Sequence, residues 1–442
     1  MIDRTAAWVA SAAGGRLGAG DPDASGPRRA VVDSRAIADG DLFVGLPGDQ
    51  ADGGRFAGAA LDAGAWGALV ASEHAEALAG SGRPVVSAPD PLSALQSLAR
   101  EWRRELACPV VGVTGSTGKT STKDILAALL RARWPRTHAN RENLNTEIGL
   151  PLTVLEAERG TEALVLEMAM RGAGQIAELT AIAEPDVGVI VNVGPVHLEL
   201  LGTVDRVAAA KAELIRDLRP GAGCVVPAGE PLLEPHLRDD LETLTFGEGG
   251  DVRLVSFEEP VARIDARGVE VALELSYSEP HNILNTVAAV AAATALGIVP
   301  EGRVEVAFSS LRGEVVEMGG GVTVVNDCYN ANPMSMRAAL EHLAQSPAGR
   351  RIAVLGTMAE LGEDGERFHR EIGRRADELG LDVLVTVGEE ALPFAAAFDG
   401  EKHAAGSPEE ARGILEELAL PGDRVLIKGS RSAGLERVVG AT

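Results

Sequence analysis

Apolar residues in this chain fall into two kinds of block that alternate. Between residues 108 and about 298, continuous Val/Ile/Leu runs ("PVVGVTG", "ALVLEMAM", "DVGVIVNVG") are separated by stretches with apolar residues at helical spacing ("KTSTKDILAALLRARW", "GQIAELTAIA", "DRVAAAKAELIRDL"). Strands apolar on both faces, alternating with helices, predict a parallel sheet covered on both sides. Residues 243–278 read as antiparallel strands, and "PHNILNTVAAVAAATALG" as a small-residue helix that closes the unit by close packing. Before this region, residues 1–86 alternate short apolar runs with Gly-rich turns, a compact α/β module. Pro89 and Pro91 punctuate the start of a helix near the first boundary at 87. From 311 onward a second α/β unit follows, with strands "VTVVND", "RIAVLG", "DVLVTVG" and "RVLIKGS" and helices around 334–345, 366–378 and 408–418. The expected fold class is α/β in three domains, 1–86, 87–310 and 311–442.

Composition narrows the function classes. The chain has 442 residues, 45% of them hydrophobic, and a formal net charge of −24, which argues against wholesale binding to nucleic acid or an anionic membrane. Cys108, Cys224 and Cys328 lie far apart and form no C-x-x-C pair, as expected of reduced thiols. "MIDRTAAWVASAAGG" carries Asp3 and Arg4 and has no secretory apolar core, and no window is apolar enough for a membrane span. The expectation is a cytoplasmic protein, monomeric by default, with no membrane span and no nucleic-acid partner.

The chemistry-bearing residues cluster at predicted strand ends. "VVGVTGSTGKTSTKDILAALL" runs strand, turn, helix, the context of a phosphate loop. Strict Walker A spacing calls for glycine at 113, where Val113 stands. Gly112, Gly115 and Gly118 let the backbone turn its N–H groups inward, with Ser116 and Thr117 between them. Lys119 offers a cation for phosphates, Thr120 a hydroxyl for Mg²⁺, and Ser121 or Thr122 a further donor. Glu167 ends a strand, where a carboxylate meets the ligand crevice of a parallel sheet and suits a hard cation. His197 follows another strand end. Lys211 interrupts an alanine-rich helical face and by spacing alone reads as a solvated lysine. Asn282 and Asn285 share a helix face, to cap the helix or to hydrogen-bond a base. Asp327, Tyr329, Asn330 and Asn332 follow a strand and suit either turn chemistry or ribose and substrate contacts. Lys428, Ser430 and Arg431 end the last strand as a candidate anion clamp.

Taken in order, "DSRAIADGDLFVGLPGD", "GVTGSTGKTST", "NLNTEIGLPLTVL", "PDVGVIVNVGPVHLELLGT", "AAAKAEL", "HNILNTVAA", "NDCYNANPMSM", "VLGTMAELGE" and "LIKGSR" resemble the Mur ligase family over nearly the full length. "YNANP-x-SM" and "N-x-EIG-x-PLT" favour its D-alanyl-D-alanine-adding branch. A phosphate loop of the form G-T-x-G-K-[ST]-[ST] is usual there, so Val113 is expected. The resemblance implies a UDP-sugar-binding first domain, a central P-loop ATP-binding domain and a Rossmann-like last domain. It implies a reaction in which the carboxylate of UDP-MurNAc-tripeptide takes the γ-phosphate of ATP to give an acyl phosphate. The amine of D-alanyl-D-alanine then displaces the phosphate.

Residue by residue, the resemblance gives Thr120 and Glu167 to one Mg²⁺ and His197 to a second. Lys211 matches a carbamylated lysine, which reverses its bland reading. Asn282 matches an adenine contact, Asp327 a ribose contact and Arg312 a phosphate contact near the hinge. Ser34 and Arg35 match UDP-sugar contacts, and Asn145, Asn330, Lys428 and Arg431 fall in motifs near the substrates. Three departures stand out: Gly54 replaces a usual histidine in "DGGRF", Thr357 replaces an aspartate in "GTM", and "FSSLRGE" replaces a Pro-Gly-Arg type of segment. The alternative within the family is a ligase adding a single amino acid. A non-catalytic nucleotide-binding scaffold is disfavoured by the presence of Lys119, Glu167, His197 and Lys211 together.

Overall fold

The computed structural model describes residues 1–48, 51–308 and 311–439, and three sheets succeed one another along the chain. In the first, Arg16–Ala19 pairs antiparallel with Val85–Ala88, and Gly67–Ala71, Leu42–Val44 and Ala30–Val31 follow in parallel. Side chains alternate across it. Leu42, Val44, Leu69 and Val86 face helices Ala6–Ala12 and Pro91–Leu106, while Phe43, Ala68, Val70 and Val85 face Ala57–Asp62. Pairing with Gly67–Ala71 continues through Ala88, so this sheet runs past residue 86. Helix Pro91–Leu106 begins at an Asp90 side chain that accepts from Leu92 N at 3.0 Å, with Pro91 in its first turn. Its Trp102 is fully buried and donates to Ala157 O at 2.8 Å, which ties the first unit to the central one.

The central sheet has ten strands. Thr137–Ala139, Ala163–Glu167, Val110–Thr114, Val187–Ile190, Gly223–Pro227 and Glu242–Phe246 are parallel. Glu242–Phe246 lies within the stretch expected to be antiparallel. The fourteen residues between it and Gly223–Pro227 are enough for a crossover that brings the chain back in the same direction. Antiparallel pairing begins at Val252–Glu258 and continues through Val261–Ala266 and Val269–Leu275, whose alternating exposure leaves one face to solvent. Helix Pro280–Ala295 then packs on Lys119–Arg133, with Val287 to Ala293 all but fully buried.

The third sheet orders Glu314–Met318, Val322–Asp327, Arg424–Lys428, Arg351–Gly356, Val383–Val387 and Glu401–Ala405, parallel apart from the first. Its two edge strands were not legible because their apolar runs are broken by charge. Helices Pro333–Gln345, Gly365–Glu378 and Pro408–Leu418 lie within a residue of expectation. The expected boundary at 310 and the chain's end at 442 lie outside the described residues, as do Ser309 and Ser310 of "FSSLRGE" and Asp49 of the first motif. Cys108, Cys224 and Cys328 are buried free thiols. Among the described residues, no helix is long and apolar enough to cross a membrane.

Candidate active site

A cavity of about 860 Å³ opens where the carboxyl ends of the central parallel strands, the start of Pro280–Ala295 and the last domain meet. Its floor is the phosphate loop. Val113 is fully buried within strand Val110–Thr114, against Ile125, Val165 and Val189. It is therefore a core residue, and the loop proper starts at Gly115. Asn192 staples that loop: its Oδ1 accepts from Ser116 N at 3.1 Å and Thr117 N at 2.9 Å, and its Nδ2 donates to Thr117 Oγ1 at 2.9 Å. Gly118 has φ +73°, and a Cβ there would lie 2.5 Å from Asn285 Oδ1, so backbone and neighbour both demand glycine. Helix Lys119–Arg133 starts here, and its first N–H groups, which lack intrahelical acceptors, are suited to an anion. Lys119 Nζ donates to Gly115 O at 2.8 Å, and burial pushes its pKa down against the pull of Glu167.

Beside the loop lies an oxygen-rich set. Thr120 Oγ1 donates to Glu167 Oε2 at 2.8 Å, and Asn145 Nδ2 donates to Glu167 Oε1 at 2.8 Å. Asn140 Oδ1 accepts from Glu167 N at 2.6 Å and fixes the strand end. A buried hydroxyl and a buried carboxylate, oriented by amides and next to a lysine, fit a hard divalent cation. His197, at φ +54°, reaches the same cavity. Its Nδ1 is engaged by the Glu360 carboxylate of the last domain, so Nε2 is the nitrogen left for a ligand. Burial lowers the His197 pKa, and Glu360 opposes that. Lys211, on helix Val204–Asp217, is 2% exposed and stands outside the cavity lining. Burial first, then Lys119, holds its pKa well below the ordinary lysine range, and no carboxylate among the described residues pairs with it.

The opposite wall suits a nucleoside. Asn282 is buried, and its Nδ2 donates to Glu279 Oε2 at 3.3 Å. The Arg312 guanidinium stacks 4.0 Å from the Tyr329 ring centroid, and among the described residues its Nε is buried without an acceptor, a donor that an incoming phosphate would satisfy. Lys428 differs from expectation. It is buried, with Nζ 2.6 Å from Asp327 Oδ2 and 3.1 Å from Asn330 O. It is thus neutralised and orients Asp327, where the sequence suggested a free clamp. Asn330 Oδ1 accepts from Ala331 N at 2.8 Å, and Asn332 caps Pro333–Gln345 with Ser335, so part of this polar cluster is turn chemistry.

Three family models match the chain: the Mur ligase family catalytic domain over residues 31–103, the Mur ligase middle domain over 113–293, and the Mur ligase glutamate ligase domain over 311–431. The chain belongs to the Mur ligase family. It is 34% identical to the UDP-N-acetylmuramoyl-tripeptide–D-alanyl-D-alanine ligase of Bacillus subtilis (strain 168), over 99% of this chain and 98% of that enzyme. It is 37% identical to the enzyme of that name from Synechocystis, over 92% and 90%. Among solved structures, MurF from Acinetobacter baumannii superposes with a TM-score of 0.87 at 29% identity, covering 98% of this chain and 97% of that one. The MurF ligase of Thermotoga maritima in complex with ADP does so with a TM-score of 0.81 at 34% identity, covering 93% and 96%.

In this Mur ligase the cavity gathers Ser116 to Ser121, Asn145, Glu167, His197, Asn282, Arg312, Asp327, Asn330 and Lys428. Gly115 supports the loop from behind. Other candidates lie elsewhere. The Arg431 side chain is 58% exposed and 3.4 Å from Glu436, and does not line the cavity. Ser34 and Arg35 stand on a first-domain turn. There Arg35 grips Asp33 at 2.9 and 2.8 Å and holds that carboxyl down to about 2. The missing histidine at Gly54 has a counterpart in space. A Cβ at Gly54 would lie 2.2 Å from Cδ2 of His74, whose Nε2 is 2.7 Å from Asp52 Oδ2. An imidazole from helix Ser72–Ala75 thus fills the room a side chain at 54 would need. Sequence reasoning missed Asn140, Asn192, Arg171 and Glu360. Of these Asn192 left a signal, an amide just beyond an apolar strand run.

Proposed function

We propose that this Mur ligase joins D-alanyl-D-alanine to UDP-N-acetylmuramoyl-tripeptide at the expense of ATP, in peptidoglycan precursor synthesis. The observation that carries the reaction class is the Thr120–Glu167–Asn145 set beside Lys119 in a cleft between two domains. The choice of substrates rests on the near-full-length relatives that bear that activity in their names.

Phosphoryl transfer needs placement and charge neutralisation more than covalent chemistry. The loop N–H groups and Lys119 hold the phosphates, Arg312 Nε supplies a further donor, Asp327 meets the ribose and Asn282 the base. Thr120 and Glu167 would hold one Mg²⁺ and His197 Nε2 would help hold a second, supplying counter-charge to the phosphates. The tripeptide carboxylate then attacks the γ-phosphorus and ADP leaves. The dipeptide amine attacks the acyl carbon of the resulting acyl phosphate, loses its proton, and expels phosphate to leave the amide. Lys211 is read as carbamylated. A buried amine with a depressed pKa and no counter-ion is nucleophilic toward CO₂, and the carbamate supplies an anion there. The domains are read as 1–86 for the UDP-sugar through Ser34 and Arg35, 87–310 for ATP, and 311–442 as the closing unit that carries Arg431. We assign the enzyme to the cytoplasm as a monomer.

The test is phosphate release from ATP by purified protein, expected only with UDP-MurNAc-tripeptide and D-alanyl-D-alanine present together. Full turnover with a single amino acid in place of the dipeptide would reassign the chain to another branch.

A further inference from the structure

The segment "GTMAELGE" has no catalytic role in the reading above, yet it is a closely braced connection in the last domain. It leaves strand Arg351–Gly356 and is pinned at each step: Ser430 N donates to Thr357 O at 2.9 Å, Met358 N to His369 Nε2 at 3.0 Å, and Ala359 N to Ser430 Oγ at 2.9 Å. Met358 and Leu361 are buried on either side of the tip. At that tip Glu360 sits at φ +62°, a conformation that costs a non-glycine residue about 1–2 kcal/mol and persists only when its surroundings hold it.

Those surroundings belong to the central domain. The Glu360 carbonyl accepts from Glu199 N at 3.2 Å, Oε1 lies 3.3 Å from Arg171 Nε, and Oε2 meets His197 Nδ1. His197 is itself in the left-handed region, at φ +54°. Gly362 follows at φ +60°, where a Cβ would come within 3.2 Å of Glu199 Cα, so the two backbones interlock. Glu360 does not line the cavity, whereas His197 does. The carboxylate therefore grips the imidazole on the side away from the substrates.

We propose that Glu360 is a positioning residue. Carried in by the last domain, its carboxylate accepts a hydrogen bond from His197 Nδ1–H, fixing the tautomer and ring orientation that leave Nε2 facing the reacting phosphates. The ring is thus set by a residue of the other domain. The phosphate-facing role of Nε2 rests on the function proposed above, but the tautomer does not, and it can be read without substrates, metal or turnover. Accepting a shared ring proton is the way carboxylates orient metal-binding histidines, and loss of such a partner typically costs about 10–100-fold.

The experiment compares the full-length protein with its Glu360→Ala and Glu360→Gln variants. Imidazole ¹⁵N spectra are recorded first, without metal or nucleotide, the His197 signal being assigned by its absence from His197→Asn. The parent is expected to show one tautomer protonated at Nδ1, Glu360→Ala a mixture, and Glu360→Gln, which keeps an acceptor, a spectrum close to the parent. In turnover, Glu360→Ala is expected to lose about 10–100-fold in kcat with KM for ATP within about 3-fold, and Glu360→Gln to recover most of the loss. An unchanged tautomer in Glu360→Ala overturns the proposal whatever the activity. So does a loss confined to KM, or a Gln variant as impaired as Ala. If the alanine variant does not fold, a parent spectrum with His197 protonated at Nε2 is by itself sufficient to overturn it. A parent that shows the expected tautomer but releases no phosphate counts against the assigned reaction and leaves the pairing intact.

Discussion

The phosphate-loop wall of the cleft and the wall brought by the last domain hold their polar groups by different means. On the loop side the partners come from one domain and form a closed set: Asn192 with Ser116 and Thr117, Asn145 and Thr120 with Glu167, Lys119 with Gly115 O. The ties across the seam join one domain to another. Glu360 reaches His197 and Arg171, Met334 rests on Gly194, and both partners of the Glu360–His197 pair adopt left-handed backbone. A preorganised wall binds without rearranging, whereas contacts between two domains are remade whenever the domains move. The phosphate-loop wall is thus held within one domain, whereas Arg312 and Asp327 reach the cavity from the last domain.

That contrast can be broken first on the rigid side. Lys119→Ala removes the cation from a loop that is otherwise intact, and phosphate release with both substrates is expected to fall by about 10²–10³-fold. Full activity would refute the ATP-site reading. Lys211→Ala comes next. If a carbamate stands there, activity should drop about 10–100-fold and recover in part with added short-chain carboxylate. No recovery, together with an unmodified lysine in the mass of the intact parent protein, would discard the carbamate. The mildest change addresses the seam. A Cβ at Gly194 would sit 1.9 Å from Met334 Sδ, so Gly194→Ala is expected to cost about 1–3 kcal/mol of closure, seen as a lower kcat/KM and a larger radius in solution scattering with nucleotide bound. Met334→Ala should rescue it. A Gly194→Ala variant that closes normally would show the seam to be more forgiving than its geometry.

Much of the rigid wall was legible in sequence because its logic is local. A glycine-rich turn between an apolar run and a helix places Lys119 and Thr120, and a carboxylate ending an apolar strand places Glu167 at the same sheet edge. Pairing across sheets is not local. Lys428 read as a free cation because its partner Asp327 ends a neighbouring strand 101 residues earlier. Nothing near His197 in sequence points to its partner, because Glu360 lies 163 residues on. Gly54 read as a lost side chain because nothing in one dimension shows the His74 ring lying against it. The direction of Glu242–Phe246 was misjudged for a related reason: periodicity reports which faces are buried and says nothing of the path by which the chain returns.

The contact between Gly118 and Asn285 has a consequence for how the molecule is made. The loop emerges early in synthesis, but the side chain that closes over it belongs to a helix separated from it by several parallel strands and the whole antiparallel excursion. Such long-range contacts form late, since the intervening chain must be ordered before they can be made. A nascent chain that ends before Pro280 carries every residue of "GSTGKTST" and still lacks the wall that completes the pocket. ATP is expected to bind the newborn protein only once the alanine-rich helix has docked, so that nucleotide binding would report the folding of the central domain.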